Sequence, residues 1–138
     1  MGFAGAMLFP LLMIGTLFLS ENIYYTAFCL PAIMFIGGLM TYSVCNKKGS
    51  ILGFKTGASE RNAETWQFAN RYCGMKMMKW SVPVLLISEL VMFIVQPSAF
   101  IAELMVFLQV IPFFVIMLST EHTLNKQFDY YGNQREKL

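Results

Sequence analysis

Four runs of apolar residues are arranged in two closely spaced pairs, and one polar stretch separates the pairs. Phe3 to Ser20 and Ile23 to Cys45 carry no charge, Trp80 to Val95 carries only Glu89, and Phe100 to Ser119 carries only Glu103. A bilayer-spanning helix needs about 20 mostly apolar residues, within a range of roughly 17–25. The spacers Glu21-Asn22 and Gln96-Pro97-Ser98 are too short for anything but antiparallel neighbours. The pattern therefore predicts an all-α integral membrane protein, with four transmembrane helices as two antiparallel hairpins joined by a cytoplasmic amphipathic helix. The expected divisions are hairpin 1 at 1–45, a polar loop with that helix at 46–79, hairpin 2 at 80–119 and a cytoplasmic tail at 120–138.

Composition agrees with this plan. Only 13% of the 138 residues are charged, and 13 Phe and 11 Met supply more large apolar surface than so short a chain can bury by itself. Soluble domains carry about a quarter charged residues. No Lys or Arg precedes the first apolar run, so a charged signal-peptide n-region is missing and a retained helix is expected. Lys47, Lys48, Lys55, Arg61, Arg71, Lys76 and Lys79 lie in the central stretch, and Lys126, Arg135 and Lys137 lie in the tail. Because positive residues stay inside, both termini and the central loop are expected on the cytoplasmic face of a multi-pass protein of the cell membrane. Four spans also place both termini on one side.

The classes of chemistry excluded are as informative. Cys29, Cys45 and Cys73 have no paired metal spacing and His122 has no second ligand nearby, so no metal or cofactor is expected. No nucleophile is arranged with a base, and no P-loop or zinc-protease motif occurs, so no catalytic residue is assigned and the chain is not read as an enzyme. Without a basic patch of the required kind, direct nucleic-acid binding is not expected either.

The polar stretch is patterned. Asn46 to Gly49 ends the second run, Ile51 to Phe54 reads as a short apolar return, and Lys55 to Ser59 reads as a turn. Ser59 or Asn62 can cap the helix that follows. At about 100° per residue, Trp66, Ala69, Cys73, Met77 and Trp80 share one stripe, while Arg61, Glu64, Gln67 and Arg71 lie mostly opposite. This predicts an amphipathic helix in the interface plane, with Trp66 as an interfacial anchor, bending into the third span with Pro83 in its first turn. Asn62 and Asn70 lie at the stripe's edges and need partners, on another helix or on the returning 53–56 segment. Gly37-Gly38 allows close approach of a neighbouring helix.

Gly53, Phe54, Lys55, Thr56, then Ser59, then Asn62, Glu64, Thr65, Trp66, Phe68 and Ala69, then Gly74 and Lys76, form a pattern that resembles the core of the SdpI/YfhL family of bacterial membrane proteins. The family's founding member has extra N-terminal helices that this sequence does not show, and the tail after Ser119 reads as an addition. The resemblance implies immunity to a secreted, membrane-active antimicrobial peptide toxin and signalling to a cytoplasmic regulator. The partner- or ligand-binding candidates are Gly53, Lys55, Thr56, Asn62, Glu64, Thr65, Trp66, Asn70, Arg71 and Gly74. Thr56, Asn62 and Thr65 read as readily as caps and turn bonds.

The intramembrane acids Glu89 and Glu103 form a separate set. A charge at the bilayer centre costs about 2.5–3.5 kcal/mol on insertion scales, which makes Glu89 a site candidate. Glu89 reads equally as a protonated acid bonded to a neighbouring helix. Glu103, near the outer interface, reads as structural. Two other functions fit the same residues: a small proton-coupled transporter using Glu89, and a scaffold subunit of a larger membrane complex. Membrane lipid is an expected partner throughout, as is a second copy of the chain in a homo-oligomer.

Overall fold

In the computed structural model, the described residues are 23–95 and 98–135, and three helices run through them. They are α1 (Ile23–Ser43), α2 (Ala63–Ile94) and α3 (Ala99–Gln127). The first apolar run, Phe3 to Ser20, lies outside the described residues, as do positions 96 and 97 of the outer spacer. Two of the described helices, Ala63–Ile94 and Phe100–Gln127, are long and apolar enough to cross a membrane.

One expectation is corrected here. The amphipathic segment and the third apolar run form a single helix of 32 residues, with no bend into a separate span. No glycine or turn residue breaks the chain between Lys76 and Pro83, and the buried stripe continues at helical spacing through Thr65, Trp66, Ala69, Asn70, Cys73, Gly74, Met77, Ser81, Val84, Ser88 and Met92. Pro83 therefore sits inside the helix and not in a first turn. Its missing N–H frees a carbonyl one turn back, a defect that membrane helices tolerate. The last helix also outruns its apolar segment, continuing from Ser119 to Gln127.

The α1–α2 crossing is set by glycine. A Cβ on Gly38 would lie 2.9 Å from Gly74 O, and one on Gly74 would lie 2.7 Å from Gly38 O and 2.8 Å from Tyr42 N. The two backbones meet with no room for a side chain, as the Gly37-Gly38 pair predicted. Small residues give membrane helices the close contact that a hydrophobic effect cannot drive in lipid. Around this crossing lies the core of Met34, Phe54, Ala58, Ala69, Cys73, Met77, Ile116, Leu124 and Phe128. A smaller cluster, Met92 with Met105, joins the far ends of α2 and α3. Outward positions on α2 and α3, such as Leu86, Phe93, Phe107 and Leu118, are exposed apolar side chains suited to lipid.

Candidate functional site

α1 ends with Ser43 Oγ donating to Met40 O (2.8 Å), and turns at Lys47–Ser50 carry the chain back, with Gly49 at φ +83°. The returning segment is then sewn to α2 by one side chain. Asn70 Oδ1 accepts from Phe54 N at 2.6 Å, and Asn70 Nδ2 donates to Phe54 O (3.5 Å) and Trp66 O (3.0 Å). The fully buried amide thus serves both backbone groups of Phe54, as a neighbouring strand would. Gly53 is required for this approach: its φ is +123°, and a Cβ there would come within 2.5 Å of Asn70 Oδ1.

The turn that follows closes on itself. Thr56 N donates to Ser59 Oγ (2.8 Å), Ser59 N donates to Thr56 Oγ1 (3.2 Å), and Ser59 Oγ lies 3.0 Å from Phe54 O. Asn62 is the N-cap of α2 in a capping box: Thr65 N donates to Asn62 Oδ1 (2.8 Å) and Asn62 N donates to Thr65 Oγ1 (3.0 Å). Thr56 and Thr65 therefore spend their side-chain polar atoms on local structure, which was one of the two readings open for them, and Asn62 does so with Oδ1 while its Nδ2 reaches beyond the turn.

Trp66 is placed otherwise than expected. It is fully buried, and its indole Nε1 donates to Val44 O at 3.0 Å, so it is not an interfacial anchor. The stripe it shares with Ala69, Cys73 and Met77 faces the chain's own loop and helices, and not the head groups. Of the remaining candidates, Gly74 is buried at the helix crossing, Lys55 is half-buried, and Glu64 and Arg71 are exposed.

Three features of the site were not foreseen. The tail docks onto the motif: Arg61 Nη1 donates to Asp129 O (2.8 Å), Asn62 Nδ2 donates to Gly132 O (2.7 Å), and Arg61 stacks over the Tyr130 ring at 5.5 Å. Gly132, at φ +87°, makes room for Asn62. Asp129 accepts from Asn133 N at 2.8 Å, which holds its carboxyl below the ordinary carboxylate range. Second, Gln109 on α3 donates to Ser88 Oγ on α2 at 2.6 Å, a buried polar tie within the apolar stretch. Third, Tyr72, Lys76, Ser119 and Thr123 gather between α2 and α3. A lone polar residue on an apolar helix was the available signal for Gln109. The others depend on packing.

Glu89 and Glu103 are both exposed on the outer faces of their helices, and no ion pair or hydrogen bond joins either to another described residue. The neighbouring-helix bond considered for Glu89 is not formed among these residues. Glu89 shares its stripe with exposed Val82, Leu86 and Phe93. It lies about 15 Å along the helix from Lys79, near half of a ~30 Å hydrocarbon layer.

Among the described residues, long apolar helices, a glycine-mediated crossing and an apolar outer surface are the features of a helical membrane protein. More particularly, the chain belongs to the SdpI/YfhL protein family, whose model matches residues 46–120. No curated protein and no solved structure matches it. The matched region takes in the returning loop, all of α2 and α3 as far as Thr120, so the docked tail lies beyond it.

Proposed function

We propose that this chain is a multi-pass protein of the bacterial cell membrane that gives immunity to a secreted, membrane-active killing peptide and relays the toxin's presence to a cytoplasmic regulator. The positive-inside pattern supports placing the central loop and both termini on the cytoplasmic side. Family membership supports the immunity role. The observation that carries the site assignment is the division of labour in the motif. Asn62, Thr65, Trp66 and Asn70 build a platform with bonds directed into the fold, Gln67 is tied to Asn46 Oδ1 at 2.8 Å, and Glu64 and Arg71 stay exposed along one helix edge for a partner.

The test is survival of toxin-sensitive cells that express the chain, challenged with a panel of secreted membrane-active peptides. Protection against at least one peptide is expected, and Arg71→Glu with Glu64→Lys should abolish the response of the regulator while protein level is kept. Absence of protection across the panel, or an unchanged response in the double variant, sinks the corresponding half of the proposal.

The position of Glu89 favours a second reading, a small proton-coupled transporter. A carboxylate on a lipid-facing stripe at mid-depth is costly unless it is protonated or bound to a cationic substrate. Proton-coupled flux in liposomes that disappears in Glu89→Gln supports it, and flux unchanged in that variant rules it out.

A further inference from the structure

Lys76 is a half-buried cation with only neutral partners. Its ammonium donates to Ser119 Oγ at 2.9 Å and lies 4.5 Å from the centre of the Tyr72 ring. No carboxylate pairs with it among the described residues. Tyr72 is fixed from two sides: its ring stacks on Phe68 at 5.6 Å, and its hydroxyl meets Thr123 Oγ1 at 3.3 Å. Thr123 Oγ1 in turn donates to Ser119 O at 2.7 Å. The cation is therefore held in a set position between two helices instead of on a free side chain.

Depth identifies what this position can meet. Beyond Lys76 and Ser119 in one direction, both helices run as apolar surface: Leu86, Leu90 and Phe93 on α2, and Leu118, Phe114 and Phe107 on α3 are all exposed. In the other direction α2 extends about 20 Å and α3 about 12 Å as polar helix, at 1.5 Å per residue. Half-exposed Trp80, one turn from Lys76, is of the type enriched at a membrane interface. Lys76 thus lies at the rim of the apolar layer, at phosphate level. Of the three ammonium protons, one goes to Ser119 Oγ and one faces Tyr72, which lies against the same ammonium, so one remains to donate to a further acceptor.

We infer that Lys76 and Ser119, which meet between α2 and α3, bind the phosphate of an anionic phospholipid head group. The acyl chains then lie on the exposed apolar faces of the two helices, and the lipid supplies the missing counter-charge. This rests on the membrane reading of the chain and is independent of the immunity reading. Lys79, exposed at the same rim and without a bonded partner, gives only the diffuse attraction of any basic residue near an anionic leaflet.

The test uses the full chain in phosphatidylcholine vesicles with and without phosphatidylglycerol, extracted in mild detergent and weighed with its bound lipid by native mass spectrometry. One retained phosphatidylglycerol per chain is expected. A charge-assisted bond implies retention about tenfold lower or less in Lys76→Gln, nearly unchanged retention in Lys79→Gln, and rescue in Lys76→Arg. If Lys76→Gln alters the elution profile, Ser119→Ala carries the test, with reduced retention expected. Equal losses in Lys76→Gln and Lys79→Gln, or no preference for phosphatidylglycerol, overturn the proposal. So does displacement of the lipid by millimolar inorganic phosphate, which would mark a site for a free anion.

Discussion

Replacing Asn70 with Ala tests the central structural argument. The amide satisfies both backbone groups of Phe54 in a region where Phe54 is 5% exposed and Asn70 is 0% exposed. Ser59 Oγ still reaches Phe54 O at 3.0 Å in the variant, so the carbonyl keeps a partner. The Phe54 N–H keeps none. An orphaned buried donor costs about 1–3 kcal/mol, and truncating a packed side chain adds about 1 kcal/mol of lost contact. The sum, about 2–4 kcal/mol, falls on the loop, because the α1–α2 crossing at Gly38 and Gly74 does not involve Asn70. Amide hydrogen exchange in detergent micelles reads this directly. Protection at Phe54 should drop by about 30-fold or more, at a factor of ten per 1.4 kcal/mol, while amides near Gly38 change little. Unchanged protection at Phe54 would refute the reasoning, as would an equal loss throughout α1. Asn70→Asp should not rescue the loop: a carboxylate can accept from Phe54 N, but at this fully buried position with no cation beside it the charge costs more than the restored bond contributes.

Other predictions separate the kinds of glycine and probe the tail. Gly74→Ala puts a methyl 2.7 Å from a backbone carbonyl that cannot turn aside, so α1 and α2 must part; a loss of at least about 2 kcal/mol by thermal unfolding is expected. Gly49→Ala, with open space around it and φ at +83°, should cost only about 1–2 kcal/mol of backbone strain. The carboxyl of Asp129 is depressed chiefly by its bond from Asn133 N, so its contribution to tail docking is complete above the ordinary value of 3.8 and is lost as pH falls through the lower, folded value. Exchange at the Asn133 amide should therefore rise in acid, and Asp129→Asn should remove that pH dependence while keeping the loop closed at neutral pH.

Much of the fold was legible in local residue types. Among the described residues, the apolar runs marked the helices because an apolar solvent leaves the chain few other structures. Asn62 read as a cap, and Gly37-Gly38 read as a close crossing. Asn70 was legible as an amide in need of a partner on the returning segment, because burying it without one is too costly. In each case the signal lies in the residue itself or in its near neighbours.

Periodicity shows which residues share a face, but not what covers that face. Trp66, Ala69, Cys73 and Met77 form one stripe whether lipid or protein lies against it, and only the packing of α1, the returning loop and α3 made it core. That same packing keeps α2 helical past the point where the sequence read two segments, since its buried stripe continues through Met77, Ser81 and Val84 without a break. The docking of Gly132 on Asn62, 70 residues away, has no local signature, and neither does the gathering of Lys76 with Ser119 across 43 residues. Sequence by itself determined the solvent each segment suits, because transfer free energy belongs to the residue. Tertiary structure alone decided which polar groups meet, because a hydrogen bond depends on where two distant backbones are brought together.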